Sequence, residues 1–298
     1  MHLPIKRTDA AELVETLLGT VSARTVDAYR DDLAKLADFC GGSLDGLLGG
    51  GSLNGNRTVA EFRKQMIADG RAAATINRRL SAIRSLVSMA RALGLVDWSI
   101  AIPGVKAVAY RDTRGPDAGE LAALFATARA RTDAKGIRDL AILRLLFDLG
   151  LRREEVVQLD ADHIADGAIW VRGKGRHDRE PMTIPAATAG AIADWIRIRG
   201  ADAGPLFRPL DNGADAGARL TASGLYKMIR ALGQKAGVKA RPHGLRHAAI
   251  TTALDLTNGD VRAVQKFSRH AKVDTVIRYD DNRQDLAGEV ADQVAGTV

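Results

Sequence analysis

Cysteine is almost absent: Cys40 is the single one among 298 residues, so neither an internal disulfide framework nor a thiolate metal cluster is available to the chain. A reducing compartment suits such a composition. Long apolar runs are missing too, none approaching the roughly 18 residues of a membrane span. The segment Met1-His2-Leu3-Pro4-Ile5-Lys6-Arg7 has no apolar stretch leading to a small-residue cleavage site. The expected protein is cytoplasmic and nucleoid-associated, with no membrane contact. Internal repeats and low-complexity segments are likewise lacking. What remains is the balance of a globular protein, 46% apolar and 27% charged, long enough for two ordinary domains or one large one.

Acidic residues are fewer than basic ones, which gives a net charge of +7 and a pI near 9.7. Excess of that kind attracts polyanions without proving that one is bound. Its distribution is more informative. Between Arg57 and Arg91 lie eight Lys or Arg residues against two acids, Glu61 and Asp69, a local stripe of the sort that meets polyphosphate.

Apolar periodicity marks the first third as helical. From a Ser22 N-cap, Val26, Tyr29, Leu33, Leu36 and Cys40 share one helix face. The stretch Gly41 to Asn56 is crowded with Gly, Ser and Asn, and reads as a flexible connector. A helix over Thr58 to Ala68 follows, and another over Thr75 to Leu93 with Ile76, Leu80, Ile83, Val87 and Ala90 inward. Along that last helix Asn77, Ser81, Arg84, Ser88 and Arg91 form one polar edge without an acid. Such an edge suits a DNA groove, with Arg or Asn on bases and Ser on phosphates. It equally suits an ordinary solvated face.

The Pro- and Gly-containing stretch from Ser99 to Pro116 divides the chain, with a first domain over 1–108, a linker over 109–116 and a second domain over 117–298. Asp117 with Glu120 forms a helix-start pattern. Ile137 to Leu151 is apolar on nearly every side, as in a central buried helix. Ile169–Arg172 and Glu180–Ile184 flank a basic tip, Gly173-Lys174-Gly175-Arg176-His177-Asp178, and predict a hairpin. Helices are then expected over Ala187–Arg199, Thr221–Ala236, His243–Leu256, Asp260–Ser268 and in a tail from Asp285. The fold class expected is mainly α with a small antiparallel β-sheet in the second domain.

Breaking a phosphodiester needs a nucleophile, cations for the phosphoryl oxygens and an acid for the leaving oxygen. The second domain offers candidates for each. Arg152 follows the apolar helix, Lys174 sits between glycines at the hairpin tip, and His243 and Arg246 share a helix face. His270 and Tyr279 flank a short helical stretch. Individually each has an ordinary role: a helix-end arginine interacts with the dipole, a turn lysine is solvated, and most tyrosines pack. His243 with His247 could suggest a metal pair, but the glutamate of His-Glu-x-x-His is missing.

Taken in order, however, Gly-Leu-Arg152 with Glu155 three residues on, Gly-Lys174-Gly after a strand, His243-x-x-Arg246-His, then His270 and Tyr279 nine residues later, resemble the pattern of tyrosine recombinases. That family includes phage integrases and Xer-like resolvases, and the helical first domain resembles its core-binding domain. The resemblance implies a two-domain, C-shaped clamp on double-stranded DNA, acting as a homotetramer on synapsed recombination sites, alone or with a second recombinase. Neither metal nor other cofactor is implied. Arg152 and Arg246 would clamp the phosphoryl oxygens, His243 and His270 would hydrogen-bond them, Lys174 would protonate the leaving 5′ oxygen, and Glu155 would orient the cations. Tyr279 would be the nucleophile, forming a 3′-phosphotyrosyl link. A phenol ionises only near pH of about 10, so it needs those cations.

Two departures stand out. Ser268-Arg269 replaces the commoner Leu-Gly, and Asp280-Asp281 follows Tyr279, where like charge would oppose phenolate. The tail, with Leu286, Val290 and Val294 on one face, resembles a C-terminal helix that docks on a neighbouring protomer, and packing on its own domain fits equally. A type IB topoisomerase, or a DNA-binding regulator without catalysis, are the competing readings.

Overall fold

The structure is a computed structural model. It describes residues 9–21, 23–106, 115–173, 178–210, 217–277, 279, 291–292 and 294–297. Ser22, residues 109–114 of the expected linker, Lys174, Asp280, Asp281, Leu286 and Val290 lie outside the described residues. The chain divides into two compact units, Met1–Tyr110 and Arg111–Val298.

The first unit is helical: α1 Ala10–Thr20, α2 Ala23–Phe39, α3 Asp45–Gly49, α4 Gly51–Ala68 and α5 Ala73–Ala92. Its core joins Leu13 and Leu17 of α1, Leu33 and Leu36 of α2, Val59 and Phe62 of α4, and the inward row of α5. Ile76, Leu80, Ile83, Val87 and Ala90 are all buried, as the periodicity requires. Beneath them Asp32, fully buried on α2, pairs with Arg78 at 3.0 Å and Arg79 at 3.3 Å on α5.

The connector expected over Gly41 to Asn56 is corrected here, because Asp45–Gly49 and Gly51–Ala68 are helical. Tertiary contact overrides the weak propensity of Gly and Asn. The ring of Trp98 lies so close to Gly55 that a Cβ there would approach it to 2.3 Å. Asn56 then holds the following strand of chain, donating to the Ser99 carbonyl at 3.0 Å and accepting from the Ala101 N–H at 2.8 Å. Helix α1 lies in the third of the chain expected to be helical, and Asp9 caps it by accepting from the Glu12 N–H at 2.7 Å.

The second unit contains α6 Ala118–Arg129, α7 Ala134–Phe147, α8 Arg153–Val157, β1 Ile164–Ala165, β2 Ala168–Arg172, β3 Arg179–Thr183, α9 Ala186–Arg199, α10 Ala222–Ala236, α11 Pro242–Leu256, α12 Val261–Ser268 and α13 Val273–Ile277. Asp117 and Glu120 form the capping box that starts α6. Helix α7 is the buried axle, with Ala141, Ile142, Leu143, Leu145 and Leu146 fully enclosed between α6, α9 and α11. The hairpin pairs Ile169 with Met182 and Val171 with Glu180. Its sheet gains a third strand, β1, too short at two residues to carry a period. A smaller apolar cluster joins Ile250 and Leu254 of α11, Val264 of α12, Val276 of α13 and Tyr279.

Candidate active site

Four segments of the second unit meet around Arg246. The first is the turn after α7, where Gly150 adopts φ +55°, a left-handed conformation that suits glycine. That turn points the Gly150 carbonyl at Arg246 and delivers Arg152 to the start of α8. Glu155 folds back on the same turn. It accepts from the Arg152 backbone N–H at 2.7 Å and from Arg152 Nη1 at 2.7 Å, so a short capping interaction also orients the guanidinium.

Helix α11 supplies the second segment. Pro242 in its first turn presets the backbone where no N–H partner exists anyway, and His243 and Arg246 follow three apart. Arg246 is 2% exposed. Its Nη1 donates to the Gly150 carbonyl and its Nη2 to the Ser268 carbonyl, while Nη2 also lies 3.2 Å from His270 Nε2. Burial, then the nearby Arg152 charge, pulls Arg246 down to about 10, which leaves it cationic at neutral pH. His243 stands exposed at the helix start; the surrounding walls still desolvate its ring, and with Arg246 and Arg152 they lower its pKa.

The end of α12 gives the third segment. Arg269 caps that helix with φ +55°, and the reversal lets Ser268 and His270, on either side of it, face the same guanidinium. A guanidinium only donates, so Nε2 of His270 accepts and Nδ1 carries the proton, which is given to Ser268 Oγ at 3.0 Å. His270 is therefore neutral. Burial first, then Arg246, Arg152 and Arg269, push its pKa down to about 4.

Tyr279, just past α13, completes the set. It is 9% exposed. Its ring stacks on His270 with centroids 5.5 Å apart and leans on His247 at 4.7 Å. The Thr251 hydroxyl lies 3.4 Å from both the Tyr279 carbonyl and His247 Nδ1. His247, weighed in sequence only as half of a metal pair, thus packs on the tyrosine. Of the residues singled out in sequence, Arg152, Glu155, Arg246, His270 and Tyr279 come together and His243 lies one turn from Arg246. Arg269 and Thr251 were not singled out, and only the unusual Ser268-Arg269 pair hinted at the former.

Glu155 is held by three cationic or backbone donors. Burial opposes its ionisation, but Arg269, then the backbone N–H and charge of Arg152, outweigh burial and hold its carboxyl below the usual range. Among the described residues one group has metal-ligand spacing, Asp160, Asp162 and His163, and Asp160 is already paired with Arg219 at 2.5 Å.

On α5 the five polar-edge residues divide. Ser81, Ser88 and Arg91 are exposed, whereas Asn77 and Arg84 are half-buried. Asn77 donates to the Val105 carbonyl at 2.9 Å and accepts from its N–H at 2.7 Å. Arg84 donates to the Ile102 carbonyl at 2.6 Å.

Comparison with known proteins bears on this arrangement. Residues 117–285 match the phage integrase family, and residues 12–94 match the N-terminal SAM-like domain of phage integrases. A tyrosine recombinase of Synechococcus elongatus is 39% identical over 80% of this chain and 76% of its own. Tyrosine recombinase XerC of Chromohalobacter salexigens is 31% identical over 94% of this chain and 91% of its own. The Tn1549 transposon integrase, solved with a circular-intermediate DNA, shares the fold with a TM-score of 0.74 at 14% identity, covering 97% of this chain and 99% of that one. The chain belongs to the phage integrase family of tyrosine recombinases, enzymes that cleave and rejoin DNA strands.

Proposed function

We propose that the chain recombines specific double-stranded DNA sites through a covalent 3′-phosphotyrosyl intermediate on Tyr279. The observation that carries this is the convergence of two guanidinium groups, a neutral imidazole and a tyrosine from four separate segments. The tyrosine oxygen attacks the scissile phosphorus, a phosphorus–oxygen bond to Tyr279 forms, and the bond to the 5′ oxygen breaks. Arg152 and Arg246 hold the non-bridging oxygens by charge-assisted hydrogen bonds that strengthen as charge builds. His243, exposed and with a lowered pKa, takes the phenol proton. Lys174 gives a proton to the leaving 5′ hydroxyl, a role resting on the resemblance of its Gly-Lys-Gly setting.

Attack by the 5′ hydroxyl of a second duplex reverses the step and exchanges strands, so neither ATP nor a metal is consumed. Four protomers on two synapsed sites would supply four tyrosines, one per strand. Both units would bind the duplex, with Ser81, Ser88 and Arg91 on the exposed side of α5 against the backbone. No described helix is long and apolar enough to cross a membrane, and the reaction takes place on DNA in the cytoplasm.

A suicide substrate nicked beside the cleavage point tests this. In EDTA, wild-type protein becomes trapped as a denaturant-resistant DNA adduct and Tyr279→Phe does not. An adduct that persists in the variant rejects Tyr279, and loss of wild-type cleavage in EDTA points to metal-dependent chemistry. Relaxation of supercoils without joint products between two sites would replace recombination with a topoisomerase activity.

A further inference from the structure

We propose that Arg269 is a positioning residue of the cleavage centre: through the shared carboxylate of Glu155 it fixes the direction of Arg152, while its own backbone turn fixes His270 on Arg246. The inference rests on the function proposed above. Its basis is geometric. Arg269 Nη2 donates to Glu155 Oε2 at 2.5 Å, and the two side chains are 8% and 4% exposed. The same oxygen accepts from the Arg152 backbone N–H, and the other carboxylate oxygen accepts from Arg152 Nη1. One carboxylate therefore joins two guanidinium groups that are far apart in sequence. The second terminal nitrogen of the same guanidinium, Nη1, lies against the Met182 sulfur on β3, so α8, α12 and the hairpin are tied at this one side chain.

The backbone supports the same reading. An arginine at φ +55° occupies a region that favours glycine, and a glycine there would turn the chain without side-chain restriction. The turn serves the Ser268 carbonyl and His270 whichever residue makes it. The side chain adds something a glycine lacks, a buried cation that keeps Glu155 ionised. Without that cation only the Arg152 contacts oppose burial, so the carboxyl titrates higher and its hold on Arg152 weakens. Arg152 is 27% exposed at its side chain, so it has room to swing once that hold loosens. Arg152 is the group assigned to the phosphoryl oxygens, and orientation errors of an ångström are costly to a transition state.

Three measurements on the full chain test the proposal. Single-turnover adduct formation on the suicide DNA should slow about 10- to 100-fold in Arg269→Gly, while affinity for the same DNA changes less than about two-fold. Arg269→Lys should recover part of the rate. In a Glu155→Gln background the further effect of Arg269→Gly should fall below about two-fold, because the cation acts through that carboxylate. Carbon-13 titration of the Glu155 carboxyl in DNA-free protein should move upward in Arg269→Gly. The glycine variant eases the left-handed turn, so loss of rate is not attributable to a strained backbone. An unchanged rate in Arg269→Gly, full additivity with Glu155→Gln, or an unmoved Glu155 titration overturns the proposal. Absence of any adduct with the wild type instead overturns the function on which it rests.

Discussion

His270 carries the sharpest consequence at the scale of one residue. Its folded pKa of about 4 lies below the ordinary 6.5. Between those values the unfolded chain takes up a proton that the folded chain refuses, so folding is penalised as the solution is acidified. The contribution is fully present above about pH 6.5 and is lost as pH falls toward 4. Thermal melting of the wild type should therefore decline over that window. His270→Gln, which keeps an acceptor for Arg246 but cannot titrate, should decline less, with His243 and His163 contributing further slope in the same direction. Equal slopes in both proteins would mean that His270 is not held neutral. Nitrogen-15 spectra of the imidazole offer a second check, since they should report a proton on Nδ1 at pH 6. Much of this centre was legible in sequence because its members announce themselves locally: Glu155 three residues after Arg152, and His243 three before Arg246, each on one helical turn. Arg269 was not, since its partner Glu155 is 114 residues away. The place of His247 against Tyr279 was equally hidden, because adjacency to Arg246 says nothing about what the next side chain touches.

At the scale of elements, periodicity sufficed where one helix face buries itself, as in α5, and failed where the stabilising partner is remote. Helix α4 shows the failure most clearly. Its first turns hold Gly51, Ser52, Asn54, Gly55 and Asn56, residues of low helix propensity; the close approach of Trp98 accounts for Gly55, a φ of +72° for Gly51, and the Ser99 and Ala101 backbone groups for Asn56. A Cβ at position 55 would meet that indole at 2.3 Å, whereas one at Gly46 in α3 meets nothing within 4 Å. Gly55→Ala should therefore destabilise the first unit by about 1–3 kcal/mol through overpacking. Gly46→Ala, adding the same methyl to a neighbouring helix, should be neutral or stabilising by up to about 1 kcal/mol. Chemical denaturation followed by Trp fluorescence would compare them. If the two substitutions behave alike, the intimate seat of Trp98 on α4 is wrong. Strand β1 was missed for a plainer reason, since two residues cannot display an alternation.

The whole molecule is cationic, and the basic stripe between Arg57 and Arg91 supplies most of the excess. Its residues are not equivalent, however. Asp32 takes up Arg78 and Arg79, and the Ile102 carbonyl takes up Arg84, so charge visible in the sequence overstates the charge available to a polyanion. Asn77 likewise grips both backbone groups of Val105. Arg91, exposed near the end of α5, is the member of the edge best placed to meet phosphate. The two kinds of residue should separate experimentally. Arg91→Ala should weaken DNA binding and reduce the salt slope of the binding constant by about 1, as expected for loss of one phosphate contact, with the melting temperature unchanged. Asn77→Ala should lower stability by about 1–3 kcal/mol, because the Val105 N–H and carbonyl lose their partner, with the salt slope of the folded protein intact. Binding titrations between 50 and 200 mM salt, of the order over which such contacts are weakened, with melting curves on the same samples, distinguish them. An unchanged slope in Arg91→Ala returns the edge to a solvated face. Weakened DNA binding with undiminished stability in Asn77→Ala would instead place that amide on DNA, and would require residues 102–105 to be held by something other than α5.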